Sequence, residues 1–139
     1  EPDRVAAEVS DLIGVDPESI LRISAKTGEG VLDVLEAVVD RIPPPEGEPD
    51  APARALIFDS EFDQYRGVIA YVRMVDGRFK KNGKVLAMQN GTEAELDDIG
   101  FFRPVMTPVD GIGTGEVGYV ITGIKDVSKL RVGDTLTNL

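Results

Sequence analysis

Five prolines fall within ten residues, at positions 43, 44, 45, 49 and 52. Proline lacks the amide donor and fixes φ, so neither a helix interior nor a central strand runs through such a stretch. The chain is therefore divided. Residues 1–44 lie on one side, 45–53 form a linker that its prolines stiffen, and 54–139 lie on the other. The two sides also differ in pattern and in charge.

On the first side, Val5, Val9, Leu12 and Ile13 recur at helical spacing and predict a helix over 3–13. Asp3 suits its start and Gly14 its end. Ile20-Leu21-Arg22-Ile23 reads as a buried strand. Ser24 to Gly30 is a glycine-bearing loop. Val31 to Arg41 is helical again, with Val31, Leu35, Val38 and Ile42 on one face and Leu32 and Val39 beside them. Helix, strand, loop and helix are the local grammar of an α/β domain. One strand leaves its ladder unpaired on both edges, so the segment predicts an incomplete α/β remnant of a larger sheet domain. That lone strand also predicts pairing with another chain, a strand-mediated self-association. The first residue, Glu1 rather than Met, fits a piece of a longer protein.

After Arg54 the period changes to two. Ala55–Phe58, Gly67–Val75, Lys84–Met88, Thr92–Leu96, Glu116–Ile121 and Asp134–Thr137 read as strands. Asp76-Gly77 and Asn90-Gly91 mark turns, the latter a tight hairpin. In the second run Val68, Ala70, Val72 and Met74 alternate against Ile69, Tyr71, Arg73 and Val75. Short strands at close spacing predict a mainly β fold, a small antiparallel Greek-key barrel.

Composition narrows the chemistry. The sequence has no Cys and no His, so it offers no thiolate, disulfide or imidazole base. Net charge is −10, and residues 1–53 carry 13 acidic against 4 basic side chains. Residues 54–139 are nearly balanced, with 12 acidic and 11 basic. Within that half Arg66, Arg73, Arg78, Lys80, Lys81 and Lys84 are opposed by Asp76 alone. Such a cluster meets phosphates, with Phe79 and Tyr71 stacking or packing, or else it is a solvated edge that resists aggregation.

Several motifs fail. Gly77 to Lys84 has five residues between its glycines and Val85 where a phosphate-binding loop has Ser or Thr. There is no Asn-Lys-x-Asp. Asp59, Glu61 and Asp63 alternate as a calcium loop begins, but Gln64 and Ala70 occupy its required glycine and glutamate positions. Asp97, Asp98 and Asp126 read as turn or surface acids. Gly111-Ile112-Gly113-Thr114-Gly115 reads as a flexible loop between strands. No catalytic residue and no metal site is expected.

Ser24-Ala25-Lys26-Thr27-Gly28-Glu29-Gly30-Val31 lies after the expected strand, where open α/β sheets bind ligands. From the residues alone it is either a ligand loop or a plain connection. Ser-Ala-Lys, however, resembles the fifth guanine-recognition element of translation-type GTPases. The second half adds Phe58-Asp59-Ser60, Gly67-Val68-Ile69, Val72-Arg73, Asp76-Gly77 and Lys80-Lys81. It continues with Gly115–Ile121, Gly123-Ile124-Lys125-Asp126 and Val132–Thr137. Together with Arg41-Ile42-Pro43-Pro44-Pro45, these resemble the LepA, or elongation factor 4, family of translational GTPases. One departure is Lys81-Asn82-Gly83-Lys84 in place of Lys-Lys-Gly-Asp.

The resemblance implies the end of a GTP-binding domain at 1–44 and domain II at 54–139. It implies that the Ala25 amide meets the guanine carbonyl while Ser24 and Lys26 shape the loop. For the full-length protein it implies GTP hydrolysis with Mg2+, back-translocation of tRNA, and support of translation fidelity and of ribosomes under stress. The barrel is implied to face RNA or protein of the small ribosomal subunit. The chain alone is expected to hold no cofactor and hydrolyse nothing. The location implied is the bacterial cytoplasm, peripheral to the inner membrane, and no residue run is apolar enough to span a bilayer. The alternatives are a stand-alone interaction barrel or domain II of another translational GTPase, such as an initiation or ribosomal-protection factor.

Overall fold

The computed structural model describes residues 1–139, which form two compact units, Glu1–Pro44 and Pro45–Leu139. The first contains α1 (Pro2–Ile13) and α2 (Val31–Arg41), with a 3-10 turn at Pro17–Ser19 between them. Pro2 sits in the first turn of α1, where its missing N–H is no loss, and Glu1 rather than Asp3 precedes the helix. Asp3 instead pairs with Arg22, 2.6 Å away. Gly14 ends α1 in the left-handed region at φ 72° and donates to the Ser10 carbonyl.

The expected strand Ile20–Ile23 does not form. These residues are extended, but no second strand lies alongside, and Leu21 and Ile23 are largely exposed. The apolar stripe of α2 is likewise uncovered: Leu35, Val38 and Ile42 are exposed, and Val31, Val34 and Ala37 are only half-buried. Two helices without a sheet between them have nothing on which to bury those faces.

The second unit is antiparallel throughout. Its ten strands are β1 (Arg54–Asp63), β2 (Gly67–Asp76), β3 (Arg78–Lys80), β4 (Lys84–Ala87) and β5 (Thr92–Glu95), then β6 (Asp98–Phe102), β7 (Met106–Pro108), β8 (Gly111–Gly113), β9 (Val117–Ile121) and β10 (Thr135–Asn138). Eight form one sheet in the order β5-β4-β10-β1-β2-β9-β6-β7, and β3 pairs with β8 separately. The ladder is not closed into the barrel the sequence suggests. Its end strands do not continue it: β5 turns Glu93 and Glu95 outward, and β7 ends in Pro108, which has no amide to donate. The sheet is nonetheless curled, because Val85 and Ala87 of β4 share one core with Ile99 of β6, near the other end of the ladder. Register shifts in β1, at Arg54/Ala55 and Ile57/Asp59, mark where it bends.

The alternation of β2 is realised as expected, with Val68, Ala70, Val72 and Met74 in this core. Ile69 faces outward into a second, smaller cluster with Tyr119 and Ile121. Asn90-Gly91 does turn the chain between β4 and β5, but across four residues, with the Gly91 amide donating to Ala87. Gly111-Ile112-Gly113 is strand β8 and not a flexible loop. Ile112 is buried in the core, and a Cβ at Gly111 would come within 2.4 Å of the Phe79 carbonyl oxygen. Glycine there permits the close approach of β3 that periodicity does not reveal. No helix is long and apolar enough to cross a membrane.

Candidate functional site

Two places carry the residues singled out from the sequence, one in each unit. In the first, Ser24 and Glu29 form an antiparallel bridge that closes the loop on itself. The Ser24 amide donates to the Glu29 carbonyl at 2.9 Å, and Gly28 donates back to the Ser24 carbonyl at 2.8 Å. The Ser24 hydroxyl accepts from the Thr27 amide at 3.3 Å. Gly28 and Gly30 both take positive φ, and a Cβ on Gly30 would come within 2.7 Å of the Arg22 carbonyl oxygen. The loop is thus shaped by Ser24 and two glycines. Ala25 and Lys26 stand exposed at its tip, and their amides have no acceptor within the chain. Two adjacent free donors on a fixed turn suit a carbonyl or anionic oxygen.

In the second unit, the basic cluster that is close in sequence is dispersed in space. Arg66 lies in the β1–β2 turn, its amide donating to Asp63 Oδ1 at 2.8 Å and its guanidinium 3.5 Å from Met106 Sδ. That amide and the Tyr65 amide hold the Asp63 carboxyl below its ordinary pKa. Arg73 projects from β2 between Leu56 and Val117. Lys81 is already paired, its Nζ 3.0 Å from Asp98 Oδ1. Arg78, Lys80 and Lys84 are brought together: they line one shallow groove with Phe79, Gly83, Leu96 and Asn138. β3 turns Arg78 and Lys80 outward around buried Phe79. The groove is not purely cationic, since Lys84 stands opposite Glu95 in the β4–β5 ladder.

The substituted turn beside this groove is well formed. Asn82 takes the left-handed conformation at φ 62°, its amide donates to Leu96 at 2.8 Å, and Gly83 donates to Lys80 at 3.0 Å. Asparagine tolerates that conformation better than most residues, so the departure at 82 is absorbed locally.

Sequence reasoning missed an aromatic row on the outer sheet face. Phe102 lies between Tyr71 and Tyr119, with ring centroids at 5.2 and 5.6 Å. Burial, aided by Glu61, pushes the Tyr71 phenol up to about 12. Arg103 lies over Phe101 at 5.0 Å. The alternation of Tyr71 with Val72 placed one member on the outer face. The others depend on pairing across β9 and β6, which no local pattern shows. The acids at 98 and 126 prove structural: Asp98 holds Lys81, and Asp126 accepts from the Ser128 amide at 2.9 Å.

The fold has solved counterparts. A crystal structure of a bacterial selenocysteine-specific elongation factor matches with a TM-score of 0.69 over 98 % of this chain and 23 % of that one, at 16 % identity. Elongation factor 4 of Cutibacterium acnes is 56 % identical over 99 % of the chain, and that of Micrococcus luteus is 56 % identical over the same share. Elongation factor 4 of Mycobacterium tuberculosis is 51 % identical over the whole chain. The chain spans only 21 to 23 % of the length of these relatives. Residues 67–137, which include nine of the ten strands in whole or in their greater part save β1, match the family model of elongation factor Tu domain 2. With this match covering half the sequence and with elongation factor 4 similarity running along all of it, the chain belongs to the elongation factor Tu domain 2 family of translation factors.

Proposed function

We propose that this chain is the ribosome-docking portion of an elongation factor 4-type GTPase, joined to the last guanine-contacting loop of its nucleotide domain. The observation that carries the reading is 56 % identity to elongation factor 4 over 99 % of the chain. In this reading the second unit meets the small ribosomal subunit, and Arg78, Lys80 and Lys84 contact RNA phosphates from their shared groove. The Ala25 amide receives the guanine carbonyl oxygen, with Ser24 and Lys26 holding the turn. GTP supplies the energy of a conformational cycle in the whole protein, and Mg2+ neutralises its phosphates. The residues here fit the base alone. Neither a phosphate-binding loop nor a Mg2+-holding Ser or Thr after it occurs in the sequence, so those contacts fall to the rest of the protein.

The biological role that follows is action on the translating ribosome in the cytoplasm, in tRNA back-translocation or in supporting ribosomes under stress. Peripheral inner-membrane association rests on the family resemblance alone.

Co-sedimentation with small ribosomal subunits tests the docking. Binding is expected at 50 mM salt and should fall steeply by 200 mM, as phosphate contacts release counterions. Absence of binding at every salt concentration would overturn the assignment. The chain should also release no phosphate from GTP, with or without ribosomes. Turnover that persists after contaminating GTPases are removed would show that a catalytic site has been overlooked.

A further inference from the structure

The proline-rich residues 45–53 are not loose. They belong to the second unit, and hydrogen bonds with three of its residues hold them. Asp76, at the end of β2 and almost fully buried, accepts from the Glu48 amide at 2.9 Å through Oδ1. Its Oδ2 accepts from Arg54 Nε at 2.6 Å. The Gly77 amide then donates to the Glu48 carbonyl at 2.9 Å, so Glu48 is held on both sides. From β10, Asn138 Oδ1 accepts from the Ala53 amide at 2.8 Å, and Ala53 itself is part of the core.

Sterics fit the same seat. Gly47 sits at φ 153°, and a Cβ there would come within 2.0 Å of the Val75 carbonyl oxygen and 2.6 Å of Thr114 Cγ2. A Cβ on Gly77 would come within 2.4 Å of the Ala51 carbonyl oxygen. A Cβ on Gly115 would lie 2.9 Å from Pro45 Cβ. Three glycines thus clear space for one short segment, and the buried Asp76 carboxylate meets it there. A segment that merely spanned a gap would need neither.

We propose that Pro45–Ala53 is a strap latched onto the sheet unit, with Asp76 as its latch. The strap leaves only Ile42, Pro43 and Pro44 unlatched after α2. The Asp76-Gly77 latch also lies immediately before Arg78 and Lys80 of β3, so the strap and the basic groove share one turn. A shift of that turn moves both. The latch does not depend on ribosome docking, and its failure would leave that reading intact.

Hydrogen exchange of the 139-residue chain tests the latch. In the wild type, the amides of Glu48, Ala51, Ala53 and Gly77 are expected to exchange at least tenfold more slowly than in a free peptide. Asp76→Ala removes the acceptor, and Gly47→Ala blocks the seat without touching Asp76. Each should accelerate the Glu48 and Ala51 amides about tenfold, while Val72 and Val120 amides change less than twofold. Free-peptide exchange at Glu48 and Ala51 in the wild type would overturn the proposal. So would unchanged exchange there in both variants. Should a variant also loosen the strand amides, the wild-type rates alone decide.

Discussion

Replacing Arg78, Lys80 and Lys84 together with Glu lowers affinity for the small ribosomal subunit by about a hundredfold or more at 0.1 M salt. The magnitude follows from counterion release. Each phosphate contact contributes a slope of roughly 0.7 to 0.9 in log affinity against log salt. At 0.1 M salt one lost contact is therefore about 0.7 to 0.9 of a decade, and three come to two decades or slightly more. Reversal adds repulsion beyond that loss. The salt slope of the variant should be shallower by about 2 to 3. Arg66→Glu with Arg73→Glu is the matched control, because those two charges lie in the β1–β2 turn and on β2 outside the groove. A filter-binding or sedimentation series at several salt concentrations reads all of this. Equal losses in the triple variant and the control would show that the groove has no special part. An unchanged salt slope in the triple variant would remove phosphate contact from the docking mechanism.

The choice of three from six cations is where the structure adds most to the sequence. All six fall within residues 66–84, and their charges look additive on paper. Sheet pairing separates them. β2 carries Arg73 onto the outer face, the turn at Asp63 draws Arg66 toward Met106, and Asp98 takes Lys81. Asp98 is seventeen residues from Lys81, so no local pattern foretells that pair. Within β3, by contrast, strand alternation alone puts Arg78 and Lys80 on one side of Phe79, once the strand itself is known.

The same contrast runs through the fold. Elements whose evidence is local were legible: both helices, the left-handed end at Gly14, and the alternation of β2. Ile20–Ile23 looked like a strand because its apolar run is local, yet a strand exists only through a partner. β8 was hidden for the opposite reason. Two of its three residues are glycine, whose poor strand propensity conceals a position chosen for close approach to β3. The seat of residues 45–53 was equally invisible, because Asp76 and Asn138 act across 28 and 85 residues. Prolines announced the segment, but its holding groups lie elsewhere in the chain. The Ser24–Lys26 loop resembled a guanine-recognition element as a motif, and the structure adds that its tip amides at 25 and 26 are free.

Phe79→Ala should lower the unfolding free energy of the sheet unit by roughly 3 to 5 kcal/mol, the usual range for deleting a buried phenyl group. Phe79 is 2 % exposed and stands opposite Ile112, which is fully buried. The β3–β8 pair has only three residue pairs of its own. Two core side chains, rather than ladder length, therefore fix that small sheet to the larger one. Total stabilities of single domains lie near 5 to 15 kcal/mol, so this loss is a large fraction. For a unit of this size it corresponds to a fall in Tm on the order of 15–30 °C. Phe102→Ala removes the same side chain from a position that is 47 % exposed, and should lower stability by about 1 kcal/mol or less. Urea unfolding followed by far-ultraviolet circular dichroism reads both variants, with the midpoint moving and the slope preserved. Because Arg78 and Lys80 flank Phe79 on β3, the groove cations stand where this ring anchors them. Phe79→Ala should thus weaken small-subunit binding even at temperatures where the chain remains folded, whereas Phe102→Ala should leave the groove in place. A loss of under 1 kcal/mol in Phe79→Ala would mean that β3 and β8 are held by something other than their core residues, and would separate the groove from the core beneath it.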